Sequence, residues 1–372
     1  MTPTDWNGDG HAGGGARSSL APSSIGEPAP PVGVAVVGCG YWGPNLARNL
    51  SEISEFRLHA LCDRDPGPLG ALGRKHPQAQ MVSDFDVLLS DAAVEAVVIA
   101  TPPTTHAPLA KRALLAGKHV LVEKPLATSL SDGLELAELA ASTGLILMPG
   151  HTFVYSPAVN TVHQLIQDGV VGDIHFVTSS RMNLGKYQRD GVVCDLAPHD
   201  LSILLYWLQD RVVEVSALAS CVFREGVPET AFMTLTFAGG TTASVQLSWL
   251  APRKVRQMIV VGSRRMVQYD DTAADEPVRV YDRGMDVETP ANFGEHQLIY
   301  RSGDVVIPRV EAHEPLRLEL QDFARAIRTG QEPRSSLSLG LQIVAAIEVA
   351  GTSMNLNGVP QACAPRSEPA VA

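Results

Sequence analysis

The stretch VGVAVVG, Val32 to Gly38, is an apolar, β-branched run that leads straight into Gly38-Cys39-Gly40-Tyr41-Trp42-Gly43. Such a run suits a strand buried on both faces of a parallel sheet. Pro44 follows, and then Asn45 to Leu50 with helical spacing; a proline in the first turn of a helix gives up an N–H that has no helical partner anyway. Strand, glycine turn and helix in that order leave the chain few alternatives. Gly38 and Gly40 let the backbone turn tightly and come close to a diphosphate, and Gly43 lets helix and strand pack closely. The helix N-terminus offers unpaired N–H groups to the negative charge.

The spacing G-x-G-x-x-G needs this context. With 32 glycines in 372 residues, random placement yields on the order of 0.2 matches. A second match, Gly8 to Gly13, lies in a polar stretch with no strand before it and no helix after it, and it carries nothing. The match at 38–43 gains further support from Asp63, which ends the strand-like run Arg57 to Cys62 twenty residues beyond Gly43. A carboxylate there accepts hydrogen bonds from the 2′- and 3′-hydroxyls of an adenosine ribose and repels a 2′-phosphate. NAD is the expected cofactor, with Arg64 leaving an opening for NADP.

An alternation of strand and helix continues to residue 150. Val94 to Ala100, Val120 to Val122 and Leu145 to Met148 read as strands, and His106 to Ala116 and Ser131 to Ser142 as helices, the first closed by Gly117. The implied class is a doubly wound parallel sheet of the Rossmann type. Ligands of such sheets sit beyond the carboxyl ends of the strands, where Thr101-Pro102-Pro103 and Glu123-Lys124-Pro125 fall. After Gly150 strands follow one another: Asp173 to Asn183, Val212 to Val222, Thr230 to Phe237, Thr241 to Trp249, Val255 to Gly262 and Arg265 to Tyr269. In Thr241 to Trp249 the apolar Ala243, Val245, Leu247 and Trp249 alternate with Thr242, Ser244, Gln246 and Ser248, which predicts an antiparallel sheet with two unlike faces. Ala238-Gly239-Gly240 is its hairpin turn. Helices over 314–329 and 337–354 close the chain, while residues 271–308 stay unplaced. The fold class is therefore α/β followed by a mostly antiparallel, open-sheet α+β domain. The expected partition is a disordered Gly/Ser/Pro-rich tail over 1–30, a dinucleotide-binding domain over 31–150, a substrate and oligomerisation domain over 151–358, and a second tail over 359–372.

Composition narrows the function. A net charge of −11 is opposite to the basic footprint of nucleic-acid binding, and no apolar run of roughly 18 residues predicts a membrane span. Five scattered cysteines without a C-x-x-C pair argue against a disulfide framework and a thiolate metal site. Reduced thiols, a cytoplasmic location and no metal are expected.

Two segments could carry chemistry. Lys124 follows a buried strand and precedes proline; in a partly dry cleft a lysine exchanges its proton near neutral pH, although a surface ion pair with Glu123 would look the same. In Asp195-Leu-Ala-Pro-His199, the aspartate reads as an N-cap or first-turn residue with His199 over it on the same helix face, a spacing that suits a carboxylate orienting an imidazole. A capping aspartate and a structural histidine fit equally well, and Asp200 serves as a structural partner or a substrate ligand.

Taken together, GCGYWG (38–43), Asp63, TPPTTH (101–106), EKP (123–125) and D-x-x-x-H (195–199) resemble the family of glucose–fructose oxidoreductase, inositol dehydrogenase and MocA-like proteins, Gfo/Idh/MocA, over about residues 32–355. The resemblance implies a catalytic set of Lys124, Asp195 and His199 at a nicotinamide. It also implies cofactor contacts from Gly38, Gly40, Tyr41, Trp42, Gly43, Asp63, Arg64, Thr101, Pro102, His106, Glu123 and Lys124. Hydride would be exchanged at a sugar or polyol carbon. GYWGPNLARNL (40–50), GHTFVYSPAV (150–159) and the stretches 179–208 and 248–271 are similar to the branch that oxidises C3 of nucleotide-linked amino sugars such as UDP-N-acetylglucosamine and its uronic acid. Substrate contacts would come from His151, Tyr155, Arg181, Asn183, Asp195 and His199, with Arg181, Lys186 and Arg189 either offering positive charge to a diphosphate or forming a solvated loop. Alternatives are a 3-ketoreductase of a nucleotide-linked deoxysugar, an inositol dehydrogenase, or a cofactor-binding regulator without turnover. The resemblance further implies a homodimer or homotetramer built through the second sheet, acting on a small molecule with no nucleic-acid or membrane partner.

Overall fold

β1 (Val32–Val37) is buried along its whole length at the centre of the first sheet. In the computed structural model, which describes residues 30–185, 187, 190–287 and 298–363, it leads through the glycine turn into α1 (Gly43–Glu52) and β2 (Phe56–Cys62). There follow α2 (Pro66–Gly73), β3 (Gln80–Val82), α3 (Phe85–Ser90), β4 (Ala96–Ile99), α4 (His106–Leu115), β5 (His119–Glu123), α5 (Leu130–Thr143) and β6 (Leu147–Gly150). The strand order is β3-β2-β1-β4-β5-β6, and every pair is parallel. The order reverses between β1 and β4, which opens a crevice beyond their carboxyl ends.

The caps are local in origin. The Ser129 side chain accepts from Asp132 N at the start of α5, and Gly144 ends that helix in the left-handed conformation, φ 67°. Elements α2, β3 and α3 were not anticipated; Asp65 and Asp84 cap the two helices through Gly67 N and Asp86 N, an Asp-two-residues-ahead signal that was legible.

The second sheet begins after α6 (Pro157–Gln167) with β7 (Ile174–Leu184), α7 (Gly191–Leu208), β8 (Val212–Ser220), β9 (Thr230–Phe237), β10 (Thr242–Ser248), β11 (Leu250–Gly262) and β12 (Met266–Asp270). The chain continues through β13 (Val278–Val287), β14 (Leu298–Val306), α8 (Pro315–Thr329), α9 (Leu337–Asn355) and β15 (Gln361–Ala362). The order is β14-β13-β12-β11-β7-β10-β9-β8-β15. All pairs are antiparallel except β7 with β10, which run parallel because α7, β8 and β9 intervene as a crossover. As the alternation predicts, Ala243, Val245 and Leu247 are buried while Thr242 and Ser244 are exposed. Helices α6, α7 and α9 pack on the inner face. The outer face leaves Phe176, Leu218 and Phe232 exposed.

Three expectations are corrected. Residues 278–287 and 298–306, unplaced from sequence, pair with each other and extend the sheet beyond β12. Residues 359–363, expected in the C-terminal tail, belong to the fold: β15 pairs with β8, Cys363 N donates to Val213 O at 2.8 Å, and Cys363 is buried. Residues 1–29 and 364–372, where tails were expected, lie outside the described residues. Finally, α9 is long and apolar enough to cross a bilayer, with a mean hydropathy of 1.4 over its best window; it packs against β8, α7, α5 and β6, which is how a core helix acquires such a composition. All five cysteines are unpaired.

Helix α7 is anchored by Trp207, whose indole N–H donates to Val159 O at 2.9 Å and whose ring meets Tyr269 edge-on at 5.9 Å. Its side chain is fully buried. Trp207→Ala is expected to cost about 3–5 kcal/mol through the cavity it leaves, read as a lower urea midpoint with an unchanged slope.

Candidate active site

The glycine turn is shaped as the fingerprint requires. Gly38 has φ 100°, and a side chain there would place Cβ 2.6 Å from the Ala100 carbonyl oxygen. At Gly43 a Cβ would lie 2.4 Å from the Gly38 oxygen, so only glycine lets α1 approach β1. Gly40 is different: a Cβ there meets nothing within 4 Å, and the turn is open on that side. Asp63, at the end of β2, accepts from Cys39 N at 2.7 Å and from Asp65 N at 2.9 Å, so it braces the turn from the position expected of a ribose ligand. Burial, with the Asp63 charge second, pushes the Cys39 thiol up to about 12, so it stays protonated. Tyr41 and Arg64 are exposed beside the turn.

The post-β4 segment has a partly different role from the expected one. His106 is buried with Nε2 2.8 Å from Thr101 O and Nδ1 2.7 Å from Pro125 O. It ties the Thr101-Pro102 turn to the loop after β5, so it shapes the crevice wall and presents no ring nitrogen to a cofactor. Thr101 is held in turn by the Thr105 hydroxyl at 2.7 Å.

Lys124 stands at the end of β5, and the Lys124–Pro125 peptide is cis. Its Nζ donates to the Asp195 carbonyl at 2.8 Å and to Asp195 Oδ1 at 3.3 Å, with the two side chains 23% and 26% exposed. Asp195 Oδ2 accepts from Trp249 Nε1 at 3.2 Å. This corrects two expectations. Helix α7 starts at Gly191, with Asp190 at the cap position, so Asp195 lies in its second turn and is no cap. Its carboxylate holds Lys124 and Trp249, and the hydrogen bond to His199 is not made. Pro198 within the same turn removes the N–H that the Cys194 carbonyl would have met.

His199 lies with its ring edge-on to Phe153, centroids 5.1 Å apart. Burial first, then the charges of Lys124, Arg181 and Arg256, hold its pKa well below the ordinary value. His151 is buried too, and burial with the Lys124 charge lowers it to about 3. Both imidazoles are neutral at physiological pH.

Several polar atoms here are buried without a partner among the described residues: Trp42 Nε1, Glu123 Oε1, both ring nitrogens of His151, Arg181 Nη1 and Asn183 Oδ1. Each unsatisfied buried group costs about 1–3 kcal/mol, a cost that ligand atoms would offset. Together with the open side at Gly40, they fit a dinucleotide and a polyhydroxylated substrate.

Other predicted contacts are reassigned. Arg181 is buried, and its Nε lies 3.0 Å from both oxygens of Asp200, with Cζ 4.6 Å from the Phe153 ring. Asp200 is therefore the structural partner, and Arg181 brings no free charge to a diphosphate. Tyr155 is buried, donates to Asp322 at 2.7 Å and accepts from Ser335 N at 3.0 Å; it fastens α8 and the start of α9 to the turn after β6. Lys186 and Arg189 lie outside the described residues. Trp249, Phe153, Thr152 and Glu319 were missed. Trp249 had a signal in the alternation of β10, whereas Glu319 reads as an ordinary polar position on an amphipathic helix.

Comparisons agree with this architecture. Residues 32–151 match the oxidoreductase family with an NAD-binding Rossmann fold, and residues 159–268 match the Gfo/Idh/MocA C-terminal domain. The chain is 31% identical over 229 residues to an inositol 2-dehydrogenase of Paenarthrobacter aurescens strain TC1, covering 58% of this chain and 68% of that one. It superimposes with a TM-score of 0.75 at 26% identity on a protein from gentamicin A biosynthesis, GenD2, solved in complex with NAD, covering 89% of this chain and 96% of that one. A UDP-N-acetylglucosamine 3-dehydrogenase of Acidithiobacillus ferrooxidans shares the fold, with a TM-score of 0.72 and 23% identity over 87% and 97% of the two chains. This chain belongs to the Gfo/Idh/MocA family of NAD-dependent oxidoreductases.

With Asp63 both bracing the turn and facing the expected ribose position, Asp63→Ala is expected to weaken NADH binding about tenfold or more, the loss of charge-assisted hydrogen bonds. Binding of NADPH should fall less, as the repulsion of a 2′-phosphate is removed at the same time. Fluorescence titration of the two reduced cofactors checks both.

Proposed function

We propose that the protein catalyses hydride exchange at a secondary alcohol of a sugar, at C3 of a nucleotide-linked amino sugar. The observation that carries the sugar part is the cluster of unpartnered buried polar atoms on His151, Arg181 and Asn183 beside the Lys124–Asp195 pair. The nucleotide part is supported by the sequence of 40–50, 150–159, 179–208 and 248–271; the buried Arg181–Asp200 pair withdraws one of the arginines first assigned to a diphosphate.

NAD, when bound, supplies the hydride acceptor. The chain's residues handle the proton and the oxygen. The neutral imidazole of His199 takes the hydroxyl proton, and the Lys124 ammonium, held in place by the carbonyl and carboxylate of Asp195, donates a hydrogen bond to the oxygen as negative charge develops on it. Trp249 keeps the Asp195 carboxylate turned toward Lys124.

A second reading, oxidation of an inositol, is supported by the identity to the inositol dehydrogenase. Reduction of a 3-keto sugar uses the same groups in reverse. A panel of UDP- and dTDP-sugars and myo-inositol, followed at 340 nm in both directions, separates these readings. The exposed Phe176, Leu218 and Phe232 on the outer face of the second sheet support assembly as a homodimer or homotetramer, which light scattering tests.

Lys124→Met and His199→Asn are expected to keep NADH binding and lose turnover by about 10²–10⁴-fold; near-wild-type turnover in either would remove that residue from the mechanism. Because His199 is held neutral far below its usual range, the acid limb of turnover should fall below pH 6.5, where an ordinary imidazole would protonate. Initial rates between pH 5 and 9 test this.

A further inference from the structure

The loop between β8 and β9, residues 221–229, is largely exposed, yet it is built around a buried carboxylate. Glu229 is 2% exposed. Its Oε2 accepts from Val222 N at 2.7 Å, and its Oε1 accepts from Phe223 N at 3.3 Å and from Arg224 N at 3.2 Å. Three N–H donors on one carboxylate are charge-assisted hydrogen bonds, and they fix the backbone at Arg224. Val227 N closes the turn on Arg224 O at 3.3 Å, with Gly226 at φ 78°. The base of the loop is tied to the candidate site. The Glu229 carbonyl accepts from Trp249 N at 2.9 Å, and the Pro228 carbonyl accepts from Val192 N, in the first turn of α7, at 2.9 Å.

From that loop a row of side chains runs back to Lys124. Arg224 Cζ lies 4.8 Å from the centre of the Tyr187 ring. Tyr187 leans on Trp249 with ring centroids 5.7 Å apart, and Trp249 Nε1 donates to Asp195, which holds Lys124. The turn after β7 brings Tyr187 there: Gly185 N donates to Trp249 O at 3.2 Å, and a Cβ on Gly185 would sit 2.7 Å from Asn183 Oδ1 and 3.0 Å from Trp249 Cδ1. The unpartnered Asn183 Oδ1 is thus a neighbour of Trp249. Charge along the row is uneven. Lys124, Arg181 and Arg256 each face a carboxylate, those of Asp195, Asp200 and Asp271. Arg224 is exposed and makes no ion pair among the described residues, not even with the adjacent Glu225. Arg253 and Lys254, early in β11, are exposed and unpaired as well, but no side-chain contact among the described residues orients them. Of these three cations Arg224 is held on an aromatic face and by a braced backbone.

A guanidinium resting on a ring keeps its N–H fork available to an anion. We propose that Arg224 is a specificity-determining residue that binds the phosphate or diphosphate carried on the anomeric oxygen of the sugar substrate. With the reacting hydroxyl at Lys124, the sugar lies along Trp249 and Tyr187, and the phosphate falls at the guanidinium. This deepens the function proposed above and rests on it for the identity of the sugar. Arg224 takes the place first given to Arg181, whose charge is met by Asp200. The contact is one of binding and adds no chemical step.

The test is calorimetric titration of the full chain with bound NADH, which takes no hydride from an alcohol, by N-acetylglucosamine, its 1-phosphate and UDP-N-acetylglucosamine. Wild type should bind the phosphorylated ligands more tightly than the free sugar. Arg224→Gln, at an exposed position, should weaken their binding about tenfold or more through the loss of charge-assisted hydrogen bonds, and leave the free sugar unchanged. The difference should shrink as salt rises, because the arginine is exposed. Loss in both phosphorylated ligands places the contact at the sugar phosphate, and loss in UDP-N-acetylglucosamine alone places it at the nucleoside phosphate; either supports the proposal. Arg211→Gln makes the same change of charge beyond the C-terminus of α7, at the other end of that helix from Asp195, and should overlay wild type. Phosphorylated ligands bound as well by Arg224→Gln as by wild type overturn the proposal. So does an equal loss for all three ligands, which would make the arginine a brace for Tyr187, an equal loss in Arg211→Gln, or a wild type without preference for the phosphorylated forms. Turnover of UDP-N-acetylglucosamine with an unchanged KM in Arg224→Gln would sink the proposal and keep the function. A phosphate preference that needs Arg224, without turnover of any of these ligands, would keep the subsite and sink the function.

Discussion

The contact between the Lys124 ammonium and Asp195 joins the two halves of the fold at the point where chemistry is expected. Lys124 is carried by the end of a strand in the parallel sheet, and Asp195 by the second turn of a helix packed on the other sheet. Both the carbonyl and the carboxylate of Asp195 face the ammonium, and Trp249 holds the carboxylate from the far side. A flexible side chain held by two acceptors loses much of its rotamer freedom, so its position reports the relative placement of β5 and α7. The burial of Trp207 at the other end of α7 belongs to the same requirement.

Around this contact the interior is unusually polar. Arg181 with Asp200, the neutral His151 and His199, and the carboxyls of Glu123 and Glu319 are all withdrawn from solvent to different degrees. Buried charge is tolerable when paired, and breaking a buried pair costs about 3–5 kcal/mol. Arg181 and Asp200 satisfy that rule between themselves through Nε, which leaves this arginine an unpartnered Nη1 but no free charge for an anion. The unpaired atoms of His151, Glu123 and Trp42 obey it only if ligand atoms complete them. The division between paired and unpaired polar groups is thus the division between scaffold and binding surface.

Much of this was legible in the residues. β-Branched runs, a glycine turn and Pro44 mark β1 and α1 because each acts through local backbone sterics. The alternation in Thr241 to Trp249 identifies the inner face of β10 because strand side chains alternate by geometry alone. Lys124, Asp195 and His199 were legible as candidates, and the structure places Lys124 against Asp195, one helical turn from His199. The pairing among them was misread. A four-residue spacing on a helix places Asp195 and His199 on one face, but the direction each side chain takes depends on β5 and β10, which are distant in sequence. Residues 278–287 and 298–306 were illegible for a related reason: such strands are defined by the partners they join, and their pattern is weak.

What the sequence by itself determined is the parallel dinucleotide-binding sheet, the acidic strand end that favours NAD, the switch to a strand-rich second half, and the choice of Lys124 and His199 as candidates for chemistry. These follow from local sterics, from side-chain periodicity and from the reach of short motifs. Only the tertiary structure decided that Asp195 serves Lys124, that Arg181 is neutralised by Asp200, that His106 and Tyr155 fasten the walls, and that Glu319 is buried against Thr152. Burial and the pairing of charge are properties of neighbours in space, and for each of these side chains the decisive neighbour lies on a different element of the chain.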